Sequence, residues 1–254
     1  MIRDERYKAI MNLLTMSDTG TIKVNDIMEK LSVSDMTVRR DLATMEVQGL
    51  LKRVHGGAKI NTFNEELSHK EKQIINIAEK KAIAQKAVEL INEDEAIFLG
   101  PGTTIELVAK AINKKNLLLV TNCLPVFKIL NTKREQNQIY LIGGELRNST
   151  QAFVGEIPNK ILMTMKFHKT FFSCNALKEQ AIMTATLEEG QTQAIALDNS
   201  QERFLLVDAS KIGKTDFCVY YDLNKMTKII TNKDTQRHYE QIKNEHVLLV
   251  ETDL

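Results

Sequence analysis

The chain has few cysteines, no long apolar run and no surplus of either charge, and each shortage removes a class of protein. Its three cysteines, Cys123, Cys174 and Cys218, stand far apart, with no Cys-x-x-Cys and no metal-type spacing to the five histidines. They read as buried thiols of a reducing cytosol, and neither a metal site nor a cofactor is expected. No stretch of about 18 apolar residues is present, and Arg3-Asp4-Glu5-Arg6 is charged where a secretory signal would be apolar. A cytoplasmic protein with no membrane partner is therefore expected. Lysine plus arginine number 34 against 33 acids, so whole-chain charge announces no nucleic-acid partner and any basic surface must be local.

What is present is ordinary for a globular chain: 43% hydrophobic and 26% charged residues, enough for a sizeable core. The length of 254 residues suggests one large or two unequal domains. The expected division is a head at 1–60, a connector at 61–76, of which Lys70 to Lys72 read equally well as the solvated first turn of a helix, and a larger domain at 77–254.

The head carries helical spacing twice. Tyr7, Ile10, Met11 and Leu14 recur at i, i+3, i+4, i+7, and Val24, Ile27, Met28 and Leu31 repeat the pattern. Between them Gly20 breaks the first helix, Thr21-Ile22-Lys23 is short enough for a single β-bridge, and Asn25 or Asp26 is placed to cap the second helix. After the turn Ser32-Val33-Ser34, Ser34 suits the N-cap of a third helix that runs to about Gln48 and stops at Gly49. On that helix Val38, Leu42 and Met45 share an inward face. Met36, Arg40 and Ala43 then point away, with Thr37 and Arg39 on the flanks. Such an outward face suits a major groove, because arginine offers two donors to guanine while threonine and methionine can touch a thymine methyl. Asp35 and Arg39, four apart, could equally form a surface pair. Leu50-Leu51-Lys52-Arg53-Val54, the turn His55-Gly56-Gly57 and Ala58-Lys59-Ile60 then predict a small hairpin, a wing that sets Lys52, Arg53, His55 and Lys59 near phosphates. Ten basic against eight acidic residues in 1–60 leave a net of only +2. Charge alone does not separate a DNA reader from a protein-docking module.

Ser34-Asp35-Met36-Thr37-Val38-Arg39-Arg40-Asp41-Leu42, Gly49-Leu50-Leu51 and Val54-His55-Gly56-Gly57-Ala58 together resemble the signature of the DeoR family of transcriptional regulators. The resemblance implies a winged helix-turn-helix with double-stranded operator DNA as partner. It also implies that the helix beginning at Ser34 reads the operator, with Thr37, Arg39 and Arg40 as contacts.

Beyond the polar connector, Ile77, Ala84, Ala87, Val88 and Ile91 mark a helix, after which short apolar runs alternate with helical periods. Candidate strands are 96–99, 117–120, 139–142, 170–173, 204–207, 228–231 and 247–250. This alternation predicts an α/β domain with a mainly parallel sheet flanked by helices. Ligands of such sheets collect at the carboxyl ends of the strands. Those ends hold Gly100-Pro101-Gly102-Thr103-Thr104, Thr121-Asn122, Gly143-Gly144-Glu145-Leu146-Arg147 and Asp208-Ala209-Ser210-Lys211. The first is a glycine turn opening a helix, where amides and the helix dipole favour a phosphate. That turn lacks a following Lys-Ser or Lys-Thr and a third glycine, which argues against a nucleotide triphosphatase and a dinucleotide site. The candidate effector residues are Gly100, Gly102, Thr103, Thr104, Thr121, Asn122, Gly143, Gly144, Arg147, Asn175 and Lys211.

These segments also resemble, in order, the sugar-phosphate sensor domain of DeoR regulators, similar in fold to ribose-5-phosphate isomerase. Within the family, Thr121-Asn122-Cys123-Leu124-Pro125-Val126 and Ala152-Phe153-Val154-Gly155-Glu156 look closest to members controlling lactose breakdown. That likeness implies tagatose 6-phosphate as effector, and a dimer or tetramer. The competing reading is a sugar-phosphate isomerase, which needs a general base. Isomerases of the similar fold place acids after the strand at 170–173. Here Ser173-Cys174-Asn175-Ala176-Leu177 offers none before Glu179. Glu188 and Glu189 remain candidate bases, but the start of a solvated helix before Gln193 and Ile195 is the stronger reading of them, so a sensor without catalytic residues is expected.

Overall fold

The structure, a computed structural model, describes residues 3–15, 17, 21–47, 50–60, 69–233 and 247–250. It divides into two units, Met1–Glu65 and Glu66–Leu254.

In the first unit the predicted stripes become one core. Helices α1 (Arg3–Thr15), α2 (Val24–Leu31) and α3 (Asp35–Val47) bury Ile10, Leu14, Ile27, Val38, Leu42 and Met45 against Ile22, Leu51 and Ala58. Strands β1 (Thr21–Lys23), β2 (Leu51–Val54) and β3 (Gly57–Ile60) pair antiparallel in the order β1-β3-β2. The segment 21–23 is thus a paired strand, more than the single bridge expected. Gly57 makes that pairing possible, since a Cβ there would lie 2.1 Å from the Ile22 carbonyl oxygen. Helix α2 starts one residue before the expected caps. Lys23 stands at its N-cap without a side-chain bond, and the Val24 amide donates to the Gly56 carbonyl at 2.8 Å. One polar side chain joins the core: Asp41, buried on α3, is held by both prongs of Arg6 at 2.7 and 3.1 Å.

In the second unit, α4 (His69–Ile74) and α5 (Ile77–Val88) precede β4 (Ala96–Leu99), α6 (Thr103–Ala111), β5 (Leu118–Thr121), α7 (Leu124–Asn131) and β6 (Gln138–Leu141). A hairpin of β7 (Glu145–Arg147) and β8 (Ala152–Val154) leads to α8 (Glu156–Leu162) and β9 (Phe167–Phe172). Then come β10 (Ala176–Lys178), β11 (Ala181–Thr184), α9 (Leu187–Asp198), β12 (Ser200–Leu206), β13 (Cys218–Asp222), β14 (Lys228–Asn232) and β15 (Val247–Val250). A 3-10 turn, Ala209–Lys211, follows β12.

All seven predicted strands of this unit enter one parallel sheet, ordered β15-β14-β12-β9-β4-β5-β6. Neighbouring residues along each strand bury into opposite cores. Ile97, Leu99, Leu119, Phe171, Phe204, Leu206 and Ile230 pack with α5, α6 and α7 residues, whereas Phe98, Val120, Phe172, Leu205 and Ile229 pack on the other face. Burial on both faces is why the strands read as unbroken apolar runs. From β4 the chain moves outward to β5 and β6, then returns to β9 on the other side of β4 and proceeds to β15. The carboxyl ends of β4 and β9 therefore flank the topological switch point, where a crevice opens.

Within the polar stretch 61–76, the helical alternative for Lys70 to Lys72 is the one that holds. Residues 61–68 lie outside the described residues, but His69–Ile74 is helix α4. The stretch shows no apolar period because α4 is anchored by polar side chains, while Ile74 is 80% exposed.

Candidate functional site

Helix α3 in the first unit and the switch-point crevice in the second hold the residues that carry chemistry. On α3 the core positions Val38, Leu42 and Met45 are each at most 1% exposed, and the opposite face is open: Met36 is 81% exposed, with Arg39 and Arg40 also exposed. Ser34 stands before the helix, its hydroxyl 3.0 Å from that of Thr37 and accepting the Thr37 amide at 3.4 Å. The Arg39 guanidinium donates to Asp35 at 2.7 Å, which holds its pKa up; both side chains remain half exposed. The surface pair and the groove-facing placement thus coexist. In the wing, Lys52 faces Lys59 across the strands in direct register. Arg53 and His55 are exposed beside them.

The crevice of the second unit has about 450 Å³ of free space, its mouth included, and is lined among others by Lys72, Gly102, Thr103, Ser173, Asn175, Glu189 and Lys211. Its floor follows from local backbone. After β4, the Gly100 amide bonds the Phe171 carbonyl at 2.9 Å, and a Cβ at Gly100 would press on Phe172 at 3.3 Å. Gly102, at φ 132°, sits where side chains are strained and turns the chain into α6, whose first-turn amides have no side-chain cap. After β9, Ser173 is buried and its hydroxyl has no hydrogen-bond partner among the described residues. Asn175 Oδ1 accepts from the Lys72 ammonium at 3.0 Å. After β12, Lys211 donates to the Cys174 carbonyl at 2.6 Å.

Cations gather here. Lys80, buried on α5, donates to the Lys72 carbonyl at 2.6 Å. Burial, reinforced by Lys211 and Lys72, pushes its ammonium down to about 8 against the pull of Asp208 and Glu106. Burial pushes the Asp208 carboxyl up, but Lys211, Ser210, Asn76 and Lys80 together hold it below its ordinary value. Asn76 donates to it at 2.9 Å. Glu106 is taken by His69 and by Gln73 at 3.1 Å. Lys80 and Lys211 around the Asp208 carboxylate, with Lys72 nearby on Asn175 and an uncapped helix start beside them, give the crevice donors suited to an anion.

Of the predicted effector residues, Gly102, Thr103, Asn175 and Lys211 line the crevice. Gly100 and Thr104 belong to its supporting turn and helix, both buried. Thr121, Asn122, Gly143 and Gly144 do not line it. Thr121 Oγ1 accepts the Cys123 amide, Asn122 Nδ2 holds the Phe153 carbonyl, and a Cβ on Gly144 would lie 2.6 Å from Pro158 Cδ. For Gly143 and Gly144 the reason is distance along the sheet, since β6 lies two strands from β4, roughly 10 Å at ordinary strand spacing; Thr121 and Asn122 follow the adjacent β5 and are engaged by the backbone bonds just given. Arg147 reaches the crevice through Glu189, donating to its carboxylate at 3.1 Å. Glu189 itself, expected in solvent, is 3% exposed and also accepts from Thr184 at 3.0 Å. Glu188 is exposed. Sequence reasoning missed His69, Lys72, Lys80 and Ser173, which sit outside glycine-rich strand ends. The three cysteines are buried, and burial raises Cys123 and Cys174 to about 12.

Comparison with known proteins agrees with both units. The DeoR-like helix-turn-helix domain matches residues 6–63, and the DeoR C terminal sensor domain matches residues 75–233. The chain is 48% identical over 246 residues to the lactose phosphotransferase system repressor of Staphylococcus aureus (strain NCTC 8325 / PS 47), covering 96% of this chain and 97% of that protein. It is 49% identical over 235 residues to the repressor of the same name from Streptococcus mutans, covering 91% and 93%. Among solved structures, ribose 5 phosphate isomerase A from Neisseria gonorrhoeae matches at 17% identity over 52% of each chain, with a TM-score of 0.38. With both domains matched and nearly its whole length shared with these relatives, the chain belongs to the DeoR family of transcriptional regulators.

Proposed function

We propose that the chain represses a lactose or galactose catabolic operon of the tagatose 6-phosphate route and leaves its operator when a sugar phosphate, tagatose 6-phosphate, occupies the switch-point crevice. The observation that carries the phosphate part is the lysine cluster, in which Lys80 and Lys211 crowd Asp208 and Lys72 stands over Asn175. A dianion offsets that repulsion, and a neutral sugar does not. The names of the relatives support lactose as the system served, while fructose 6-phosphate and galactose 6-phosphate are the alternatives. The regulator acts in the cytoplasm as a dimer or tetramer, since paired heads match repeated half-sites. Among the described residues no helix is long and apolar enough to cross a membrane.

An effector must bind the DNA-releasing state more tightly than the DNA-bound one, otherwise it shifts nothing. The deciding experiment titrates the protein-operator complex with tagatose 6-phosphate, the two alternatives, free tagatose and lactose. Release by tagatose 6-phosphate at concentrations where the neutral sugars do nothing is expected. Equal release by free tagatose would overturn the phosphate reading. Recovery of the sugar phosphate chemically unchanged is expected as well, because the Glu189 carboxylate is engaged by Arg147 and Thr184; an isomerised product would restore the enzyme reading.

A further inference from the structure

Strand β6 ends the seven-stranded sheet on the side away from β15, and its outer edge meets no other strand among the described residues. Toward β5, the Gln138 amide donates to the Leu117 carbonyl and the Ile142 amide to the Thr121 carbonyl, both at 2.8 Å. Backbone groups of successive strand residues point to opposite edges, so those of Ile139 and Leu141 point outward. Proteins usually guard such an edge with lysine, proline or a bulge. Gln138-Ile139-Tyr140-Leu141 has no charge and no proline, and it pairs with β5 without a register shift. The flank is apolar as well. Tyr140, 48% exposed, shares a face with Ile142, which packs with Leu162 of α8. Ile157 and Ile161, one turn apart on α8, are 63% and 38% exposed. Asn159 on the other side of that helix accepts from Thr192 of α9 at 2.7 Å, so the two isoleucines are turned away from α9 and from the strands it covers, β9 and β12.

We propose that β6 is the seam between two copies of this chain, joined edge to edge about a two-fold axis at Tyr140. A second copy is the occupant because the edge complements itself. With the two strands antiparallel, Ile139 of each copy lies opposite Leu141 of the other, and each such pair exchanges two backbone hydrogen bonds. Every outward amide and carbonyl of the two residues is then satisfied in both copies. Tyr140 meets its own mate in the closer, non-hydrogen-bonded position, where aromatic pairs stabilise. The axis is normal to the sheet, so both α8 helices lie on one face of the joined sheet with their exposed isoleucines flanking the seam. Pairing β6 with the opposite edge strand of a second copy would instead propagate without closing. This rests on the paired-repressor reading above, to which it assigns a contact.

The test uses the full-length protein. Sedimentation velocity compares the parent with Tyr140→Lys, which sets two like charges opposite each other on the axis. That variant should associate at least about tenfold more weakly and show half the parent mass where the parent is fully associated, while Tyr140→Phe keeps the parent mass. Cross-linking supplies the positive arm. Cα atoms about 4.5 Å apart in the non-hydrogen-bonded position lie within disulfide reach, so Tyr140→Cys should link two copies on mild oxidation. The parent, whose three cysteines are buried, should stay unlinked, as should Lys178→Cys, which is exposed on β10. An oligomeric parent whose mass survives Tyr140→Lys, or whose copies Tyr140→Cys fails to link, overturns the β6 seam and leaves the paired-repressor reading standing. A parent monomeric at every concentration overturns both. Should Tyr140→Lys fail to fold, the cross-linking arm decides.

Discussion

Two buried side chains, Ser173 in the crevice lining and Lys80 behind it on the Lys72 carbonyl, are poised unfavourably, and each gives a measurable consequence. Lys80 is buried with its ammonium lowered to about 8. Because the unfolded chain keeps that proton up to the ordinary value of 10.5, stability should rise with pH between about 8 and 10.5. A bound dianion reverses the shift, so binding should take up protons above about pH 8 and weaken as pH climbs further. Calorimetry near pH 8.5 in two buffers of different ionisation heat checks this; identical heats would remove Lys80 from the site. Ser173 is the second case. Its unpartnered buried hydroxyl costs roughly 1 to 3 kcal/mol, so Ser173→Ala should melt no lower than the parent yet bind sugar phosphate about fivefold or more weakly, the worth of one hydrogen bond. Unchanged affinity would make the hydroxyl a bystander. Neither residue was legible in the sequence. A lysine within a helical stripe reads as solvated, and a serine after a strand reads as a turn; burial and the neighbours from α4 and β12 are what change their chemistry.

Helices and strands were the most legible level, since their signals are local. The inward trio Val38, Leu42 and Met45 and the outward Met36 and Arg40 were readable from helical spacing and are so placed. The division of labour between α3 and the wing is testable. Arg40→Ala should cost roughly 1 to 3 kcal/mol of operator affinity if it reads a base, whereas Lys52→Ala in β2 should weaken all DNA about equally and lower the salt slope by about one. Binding isotherms over a salt series on operator and scrambled DNA, with a melting curve for each variant, separate the two. Unaltered operator affinity for folded Arg40→Ala would take α3 out of base reading. Local signals left α4 undecided, a helical turn at Lys70 to Lys72 being readable equally well as connector. Its anchors are Lys72, His69 and Gln73, and polar anchors leave no apolar period to detect. Gly144 misled in the opposite direction: a glycine that suggests a ligand cradle instead admits Pro158 and the Val154 carbonyl.

For the whole molecule the governing relation is linkage. If sugar phosphate releases the operator, operator DNA must weaken sugar-phosphate binding by the same factor. Measuring effector affinity with and without saturating operator should give the ratio found for operator affinity with and without effector. Unequal ratios would mean that a further equilibrium, such as subunit dissociation, intervenes. The sequence by itself determined the helix-turn-helix head, the seven strands of the sheet and the family, because periodicity, capping residues and motif order are properties of neighbours along the chain. Only the tertiary structure decided which strand ends meet. The order β15-β14-β12-β9-β4-β5-β6 brings the loops after β4, β9 and β12 into one crevice and leaves Gly143 and Gly144, directly after β6, out of its lining, while Ser149 and Thr150 of the β7–β8 hairpin line it. Strand order is set by crossover packing between segments far apart in sequence, and so it is there, and not in any one motif, that Lys72, Ser173 and Lys211 come to line one crevice with Lys80 behind it.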